Sequence, residues 1–364
     1  MLFCSLPHNS GIKNTETSRS GGSSGASAPS EPAADVRLGR ILRLMMEHAT
    51  VVVSGTKIAE EIHSNRSEVW RLVQQLRGLG VEVAGHPATG YQLKSVPDLL
   101  LPEILGPLLR GTIFDHRIHH FYKIGSTNTA AMAAAAKGAP EGSVFLAEEQ
   151  TAGRGRGAHT WNSAQSMGIY CSVVLRPALP PGDVLVMALA AGLAVRAAIE
   201  QVDSRVQVDL KWPNDGIVQG RKVCGILTEM NAEATRVRYI VVGIGINVNH
   251  THFPEELQEQ ATSLRMITGN EWSRVELTAA LLKSLEREYR QLTDDGDARQ
   301  SILRRFSEQS SWVRGKQVRV DENGSSVNGS SIEGTTEGLD ERGFLQVRTA
   351  QGLQKVLSGT VRGK

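Results

Sequence analysis

The chain has 364 residues, 40% of them hydrophobic, and its 40 Lys and Arg against 38 Asp and Glu leave a formal charge of only +2. This describes a soluble globular protein; at roughly 100–200 residues per domain the length holds two or three domains with a sizeable core and needs no disulfide or metal staple. Three cysteines (Cys4, Cys171 and Cys224) are too few and too scattered for a disulfide framework or a CxxC pair, and the most apolar stretch, Val184 to Ile199, carries Arg196, so the expectation is a cytoplasmic protein with no membrane span or secretory signal.

Residues 1–34 hold eight Ser, four Gly and three Pro around Ser20-Gly21-Gly22-Ser23-Ser24-Gly25. They offer too little apolar surface to offset the entropy of ordering and read as a disordered tail. From Val36 the pattern changes: Leu38, Ile41, Leu42 and Met45 recur at helical spacing, then Ser54 stands as an N-cap before Ile58, Ala59 and Ile62. Beyond a turn at His63-Ser64-Asn65, a third helix over about Arg66 to Leu79 carries Val69, Val73, Leu76 and Leu79 on one face and stops at Gly80. Val81-Glu82-Val83 and Tyr91-Gln92-Leu93 then flank Gly85 to Gly90 as a small hairpin.

Three short helices and a hairpin outline a winged helix-turn-helix over residues 35–96; a small interaction domain that touches no nucleic acid has the same outline. Eight Lys and Arg against five Glu between Val36 and Ser95 give the basic excess that phosphate contact needs. Ser64, Asn65, Arg66, Ser67 and Arg71, around the start of the third helix, are the expected DNA contacts. Glu68 argues the other way, because it would face phosphate or base edges unless paired.

Pro97, Pro102 and Pro107 punctuate a connecting segment, after which strand-like and helix-like stretches alternate to about Phe306. Strands are expected at Ser143 to Ala147, Ile169 to Leu175, Val206 to Trp212, Cys224 to Met230 and Tyr239 to Ile246, with helices starting near Asn128 and after Asp183. Apolar strands with long helices packed on them make an α+β core, assigned to residues 97–308. Within it, Ser273-Arg274-Val275-Glu276 is a capping box ahead of a helix whose Leu281, Leu282, Leu285, Tyr289 and Leu292 form one structural stripe. Beyond Trp312, short strands such as Gln317 to Val320 and Phe344 to Val347, divided by Gly, Asn and Ser turns, read as a small β-barrel over residues 309–364.

The stretch richest in chemistry is Gln150-Thr151-Ala152-Gly153-Arg154-Gly155-Arg156-Gly157-Ala158-His159-Thr160-Trp161, a glycine-alternating basic loop after a strand. Glycines let the backbone approach an anion, and two arginines can grip phosphate or carboxylate oxygens bidentately. Taken alone, the string suits an RNA-binding or linker segment equally well. Its context is Lys211-Trp212-Pro213-Asn214-Asp215-Gly216 followed by Arg221-Lys222-Val223-Cys224-Gly225-Ile226-Leu227-Thr228-Glu229. Lys211 closes an apolar strand and Asp215 sits in the turn beyond, a cation and a metal-capable carboxylate at a sheet edge where ligands bind in such folds. A solvated Asn-Asp-Gly turn accounts for Asp215 but not for the neighbouring basic residues. Gly243-Ile244-Gly245 lacks the third glycine of a dinucleotide fingerprint. His116, His119 and His120 lie close together, yet the last two alternate faces on a strand and no zinc set is completed.

Together with Gly125-Ser126-Thr127-Asn128, Val242-Gly243-Ile244-Gly245-Ile246-Asn247-Val248-Asn249 and Phe253-Pro254 to Ala261-Thr262-Ser263-Leu264, these segments resemble the biotin protein ligases (biotin–[acetyl-CoA-carboxylase] ligases). The likeness runs in order through nearly the whole chain after the tail and is to the bifunctional type, which is also the biotin operon repressor. It implies a class II synthetase-like core of mixed sheet and helices between the winged helix and an SH3-like barrel. It further implies formation of biotinyl-5′-AMP from biotin and ATP with Mg²⁺, then transfer of biotin to a lysine of the biotin carboxyl carrier protein of acetyl-CoA carboxylase. Loaded with biotinyl-AMP, a homodimer would bind operator DNA.

By the same resemblance, Ser126, Thr127, Asn128 and Gln150 hold the biotin ureido ring, and Arg154, Gly155 and Arg156 touch biotin and close over the adenylate. Lys222 meets the biotin carboxylate and phosphate, Lys211, Asn214 and Asp215 serve nucleotide and Mg²⁺, Gly243, Gly245 and Asn247 form the floor and ribose side, and Trp161 walls the site. Catalysis falls to Lys222, Arg156, Lys211 and Asp215. Ser126-Thr127-Asn128 also suits a helix cap, which is compatible with ligand contact.

The sequence departs from the family at Gly157-Ala158-His159, where many members continue with another Arg-Gly, so positive charge beside Arg156 is lost. Cys224 replaces a small residue and, buried, would act as a small hydrophobe. Two alternatives differ in function: a biotin-sensing transcription factor with little ligase turnover, against which the phosphate-handling residues argue, and a lipoate-type ligase with a related core.

Overall fold

The computed structural model describes residues 33–78, 80–86, 89–157, 159–294, 298–321 and 331–363. The serine-rich segment lies outside the described residues except for its last two, which begin helix α1 (Ala33–Glu47). Helix α2 (Gly55–Glu61) is capped by Ser54, whose side chain accepts from Lys57 N, and α3 (Arg66–Gly78) follows a turn in which His63 takes a positive φ of 51°. Strands β1 (Glu82–His86) and β2 (Gly90–Ser95) form an antiparallel wing, which a bridge between Val53 and Tyr91 ties to the entry of α2. Gly90 is needed there: its φ is +141°, and a Cβ would strike the Val53 carbonyl. Leu38, Ile41, Leu42, Met45, Ile58, Val69, Leu72, Val73 and Leu76 are buried in a core belonging to this unit. The periodicity of the helices therefore sorts the right side chains inward.

The proline-marked connection contains a helix, α4 (Pro102–Leu108), started by Pro102, whose missing N–H is harmless at that position. The connection is also more than a tether. Leu99 and Leu101 belong to the winged-helix core while Leu100, between them, belongs to the central core, so alternate side chains are clamped on opposite sides.

The central sheet has the order β3-β4-β5-β9-β8-β7-β6, from β3 (Ile118–Phe121), β4 (Val144–Ala147), β5 (Gly168–Leu175), β6 (Asp209–Lys211), β7 (Asp215–Val218), β8 (Arg221–Ala232) and β9 (Val237–Asn247). Only the β3–β4 pair is parallel, so the sheet is mixed. Strand β5 is buried on both sides, which is why it reads as a continuous apolar run. Cys171, Val173 and Leu175 join the core beneath α6 (Leu185–Val202) and α8 (Arg274–Asp294), while Val174 packs with α5 (Thr127–Ala136) on the opposite face. The sheet is thus the middle of three layers, with α9 (Ala298–Glu308) beside α6. The segment Pro181–Val202 is long and apolar enough to cross a membrane, but 78% of its apolar window is buried inside this core. The strand expected over Val206 to Trp212 is shorter than its apolar run: Val206 and Val208 are buried without being in β6.

The C-terminal part is a five-stranded antiparallel sheet of order β13-β12-β11-β10-β14, made of β10 (Arg314–Asp321), β11 (Ser331–Leu339), β12 (Leu345–Thr349), β13 (Gly352–Val356) and β14 (Thr360–Gly363). Its end strands β13 and β14 do not pair among the described residues, so the expected barrel is an open sheet.

Candidate active site

Helix α5 delivers the first group of side chains because Ser126 caps it: Ser126 Oγ accepts from Thr129 N at 3.5 Å while the residue itself is buried. Thr127 donates to Gln150 Oε1 from both N (2.9 Å) and Oγ1 (3.1 Å), and Gln150 Nε2 donates onward to Ser163 Oγ at 2.9 Å. From β5, Ser172 Oγ reaches Thr127 Oγ1 at 2.8 Å and Asn128 Oδ1 at 2.6 Å. Asn128 Nδ2 donates to Leu227 O at 3.2 Å and Glu229 Oε2 at 2.9 Å. The result is a fixed cluster of neutral side chains, anchored at its edge by the Glu229 carboxylate, whose orientations are set by one another. Gly243 must be glycine here, because a Cβ would collide with Asn128 Oδ1.

The basic loop folds back on itself. Trp161 N donates to Gly153 O and Gly155 N to His159 O, and a bridge joins Arg154 with Thr160. The Trp161 ring lies on the sheet: a Cβ at Gly225 would come within 2.8 Å of it and one at Gly245 within 2.5 Å. Two floor glycines therefore seat one indole, whose Nε1 is buried without a partner among the described residues. Arg154 pairs with Glu229 at 2.6 Å, whereas Arg156 extends the other way to Asn214 Oδ1 (3.3 Å) and Gly359 O (3.4 Å). Ala158 lies outside the described residues.

A charged cluster occupies the far end of the same cavity. Lys222 Nζ lies 2.7 Å from Asp215 Oδ1 as a charge contact, since that oxygen takes part in no aligned hydrogen bond, and 5.4 Å from the Trp161 ring centroid. Asn214 Nδ2 donates to Ile226 O, fixing the turn after β6 against β8. Lys211 sits 4.4 Å above the Trp312 ring. Burial lowers the Arg156 guanidinium and the Lys211 ammonium below their ordinary values, while the Asp215 charge acts in the opposite sense on both. Lys222 is held at the backbone too: it bridges Ala261, so the segment after Phe253 folds over as a wall.

All of Ser126, Thr127, Asn128, Gln150, Arg154, Gly155, Arg156, Trp161, Lys211, Asn214, Asp215, Lys222, Gly243, Gly245 and Asn247 line one cavity of about 910 Å³. Asn247 has its amide committed to Thr262 O at 3.1 Å, which makes it a wall-builder first. Several neighbours were not singled out from sequence. Ser172 sits in an apolar strand with no local signal, and residues 358–363 of the C-terminal sheet reach the cavity from a separate part of the chain. Glu229, which meets Asn128 and Arg154, was foreseeable: strand alternation from Gly225 through Leu227 puts it on the same face of β8.

Behind the site, Glu148 and Arg274 are each 1% exposed and joined at 2.7 Å. The Glu148 carboxylate also accepts from Leu100 N and Ser166 Oγ and meets His120 Nε2 at 3.1 Å. Burial alone would raise its pKa, but His120, Arg274 and Leu100 N outweigh that and hold it at about 2. Asp98 accepts from Arg274 N and Val275 N, capping α8 alongside Ser273, which accepts from Glu276 N. One buried carboxylate thus ties the inter-domain connection, the exit of the basic loop and α8 together. His120 is thereby used structurally, His119 stacks on Phe145, and no group of three potential metal ligands gathers among the described residues. Cys224 is fully buried, and burial pushes its thiol well up.

On the winged helix, Asn65, Arg66, Ser67 and Arg71 are exposed and Ser64 half-buried, away from the cavity lining. Asn65 Oδ1 caps α3 by accepting from Glu68 N. Glu68 is paired: Arg71 grips it with two bonds of 2.9 and 2.7 Å and also donates to Gln75.

Comparison with known proteins agrees with this architecture. Residues 37–92 match an HTH domain, 121–247 the Biotin/lipoate A/B protein ligase family, and 315–362 the Biotin protein ligase C terminal domain. The chain is 34% identical to the bifunctional ligase/repressor BirA of Bacillus subtilis over 324 residues, covering 88% of this chain and 97% of that protein. It is 27% identical to BirA of Escherichia coli, covering 80% of this chain and 87% of that one. Among solved structures, biotin protein ligase from Aquifex aeolicus in complex with biotin and ATP superposes with a TM-score of 0.58 at 28% identity, covering 68% of this chain and all of that one. The chain belongs to the biotin protein ligase family, in the form that carries an N-terminal helix-turn-helix domain.

Proposed function

We propose that this chain is an ATP-dependent biotin protein ligase and, through its winged helix, a DNA-binding repressor of biotin genes. The observation that carries the ligase reading is the two-ended cavity: neutral, pre-oriented hydrogen-bonding groups under α5 at one end, and Arg156, Lys211 and Lys222 around Asp215 at the other. Biotin has this polarity, a neutral ureido ring joined by an apolar chain to a carboxylate. A lipoate ring offers no N–H or C=O to the neutral end, so its polar groups would go unanswered.

In the first step a biotin carboxylate oxygen attacks the α-phosphorus of ATP, the bond to pyrophosphate breaks, and biotinyl-5′-AMP forms. Lys222 and Arg156 would draw the two anionic reactants together and stabilise charge on the transferring phosphoryl oxygens. Lys211, Asn214 and Asp215 would hold the nucleotide, with Trp161 and the glycine floor providing a flat wall. Mg²⁺ would arrive on ATP: it needs few protein ligands beside phosphate oxygens, and Asp215 is the carboxylate placed to meet it. In the second step the lysine amine of a biotin carboxyl carrier protein attacks the acyl carbon, loses a proton, and AMP leaves.

The reading also assigns residues 35–96 to operator binding, 97–308 to catalysis and 309–364 to an SH3-like unit. It places the protein in the cytoplasm and makes the adenylate a corepressor that favours a homodimer on two half-sites. The test is pyrophosphate release with ATP, Mg²⁺ and either biotin or lipoate, with and without a carrier domain, followed by the carrier's mass. Biotin-dependent release and a biotinylated lysine are expected. Biotin binding without release would favour a sensor, and activity with lipoate alone would overturn the substrate.

A further inference from the structure

The two loop arginines are engaged quite differently. Arg156 reaches into the charged end of the cavity, whereas Arg154 is bound to Glu229 on β8 at 2.6 Å, and the same Glu229 oxygen accepts from Asn128 Nδ2 at 2.9 Å. Alternation along β8 puts Gly225, Leu227 and Glu229 on the face that carries the cavity. Gly225 seats the Trp161 ring and the Leu227 carbonyl holds Asn128, so Glu229 is the third anchor in a row. Glu229 stands beside the neutral end of the cavity, where its carboxylate would lack a cation without Arg154, and Arg154 is that partner. The described loop residues 153–157 and 159–161 consequently rest on the sheet at two points, the Trp161 indole on its glycines and Arg154 on Glu229.

We propose, resting on the ligase reading above, that Glu229 is a positioning residue: it docks the basic loop through Arg154 and orients Asn128, leaving Arg156 as the arginine that meets the ligand. Arg154 is a strut between loop and sheet. Disrupting the pair loosens the loop over the bound adenylate without removing a ligand contact.

The experiment is a double-mutant cycle in the full chain with Arg154→Ala, Glu229→Gln and both together. Glu229→Gln keeps an acceptor for Asn128 and removes only the charge that holds Arg154. The primary readout is the dissociation rate of biotinyl-AMP in a chase, with KM for biotin and kcat measured separately and thermal melting as a check on folding. Each single variant should release the adenylate up to about fivefold faster, as loss of a partly exposed ion pair allows. The double variant should be no worse than the worse single, and Arg154→Lys, which keeps a cation on the carboxylate, should retain most of the wild-type behaviour. Additive effects, or tighter retention in Glu229→Gln because Arg154 has been freed for the ligand, would overturn the proposal. Absence of adenylate formation by the unaltered chain would instead overturn the ligase reading itself, so the two failures are distinguishable.

Discussion

In the cavity, Arg156 and Lys211 are held largely out of water beside Asp215, and their heads are fixed by Asn214, Gly359 and the Trp312 ring. On α3, Arg71 stands in water with its fork closed on Glu68. The cations of the core keep their charge pointed at a common space, while Arg71 on α3 has its charge cancelled by a neighbour one turn away. Low-dielectric, pre-oriented charge supports chemistry at one place; an exposed charge already paired on its own helix adds little attraction, and salt readily screens it. The contrast can be broken from either side.

The largest effect should come from the buried pair behind the cavity. Replacing Glu148 by Ala takes from Arg274, charged at 1% exposure, the nearer of its two carboxylates, leaving Asp98 at 3.3 Å, and strips partners from Leu100, Ser166 and His120. A loss of about 3–5 kcal/mol in folding stability is expected, measured by urea unfolding. A loss below about 1 kcal/mol would mean that water reaches this pair and that the core does not hold charge as described.

Next in size is Lys222→Ala. It removes a cation from the charged end and leaves Asp215 without its 2.7 Å partner, so adenylate formation should fall by more than about 1.4 kcal/mol of transition-state stabilisation, at least tenfold in rate. Pyrophosphate release measures it, and near-wild-type release would take Lys222 out of the mechanism.

Acid should unfold the core in two stages. His250 is 3% exposed, stacked on Phe253, with neither ring nitrogen hydrogen-bonded among the described residues. Burial, assisted by His252, lowers its pKa from 6.5 to about 4. Because the folded state resists protonation, this stability is fully present above about pH 6.5 and is lost as pH falls towards 4. Glu148, depressed from 4.5 to about 2, contributes stability that is present above pH 4.5 and lost as pH falls towards 2. His250→Phe should flatten the upper stage of a plot of urea midpoint against pH and leave the lower one. An unchanged upper stage would show that His250 is solvated.

The helices of the winged domain, strand β5 and the α8 capping box were legible in the sequence because each is fixed locally, by periodicity or by a cap three residues away. The glycine floor and the basic loop were visible as motifs, but not why they belong together: Trp161 meets Gly225 and Gly245 only once two strands pair. Glu148 could not be found at all, since its partners Leu100 and Arg274 lie 48 and 126 residues away. The reach of residues 358–363 into the cavity is tertiary in the same sense. Glu68 was visible as a problem and its solution was not, although Arg71 stands three residues on, at the spacing where helix side chains meet.

The smallest expected effect tests that last pair. In Glu68→Gln, Arg71 loses the carboxylate that occupies two of its donors, so its charge becomes available to a phosphate. Each additional phosphate neutralised on duplex DNA steepens the fall of log affinity with log salt by about 0.9. Binding to a random-sequence duplex, followed by fluorescence anisotropy between roughly 50 and 200 mM salt, should therefore show a slope steeper by about one contact and tighter binding at the low-salt end. Adenylate formation, which depends on charges in the other region, should be unaltered. A slope identical to that of the unaltered chain would mean that Arg71 does not approach the DNA backbone even when free. Phosphate contact would then fall to Arg66 and the helix N-terminus, and the Glu68–Arg71 pair would be a stabiliser of α3 alone.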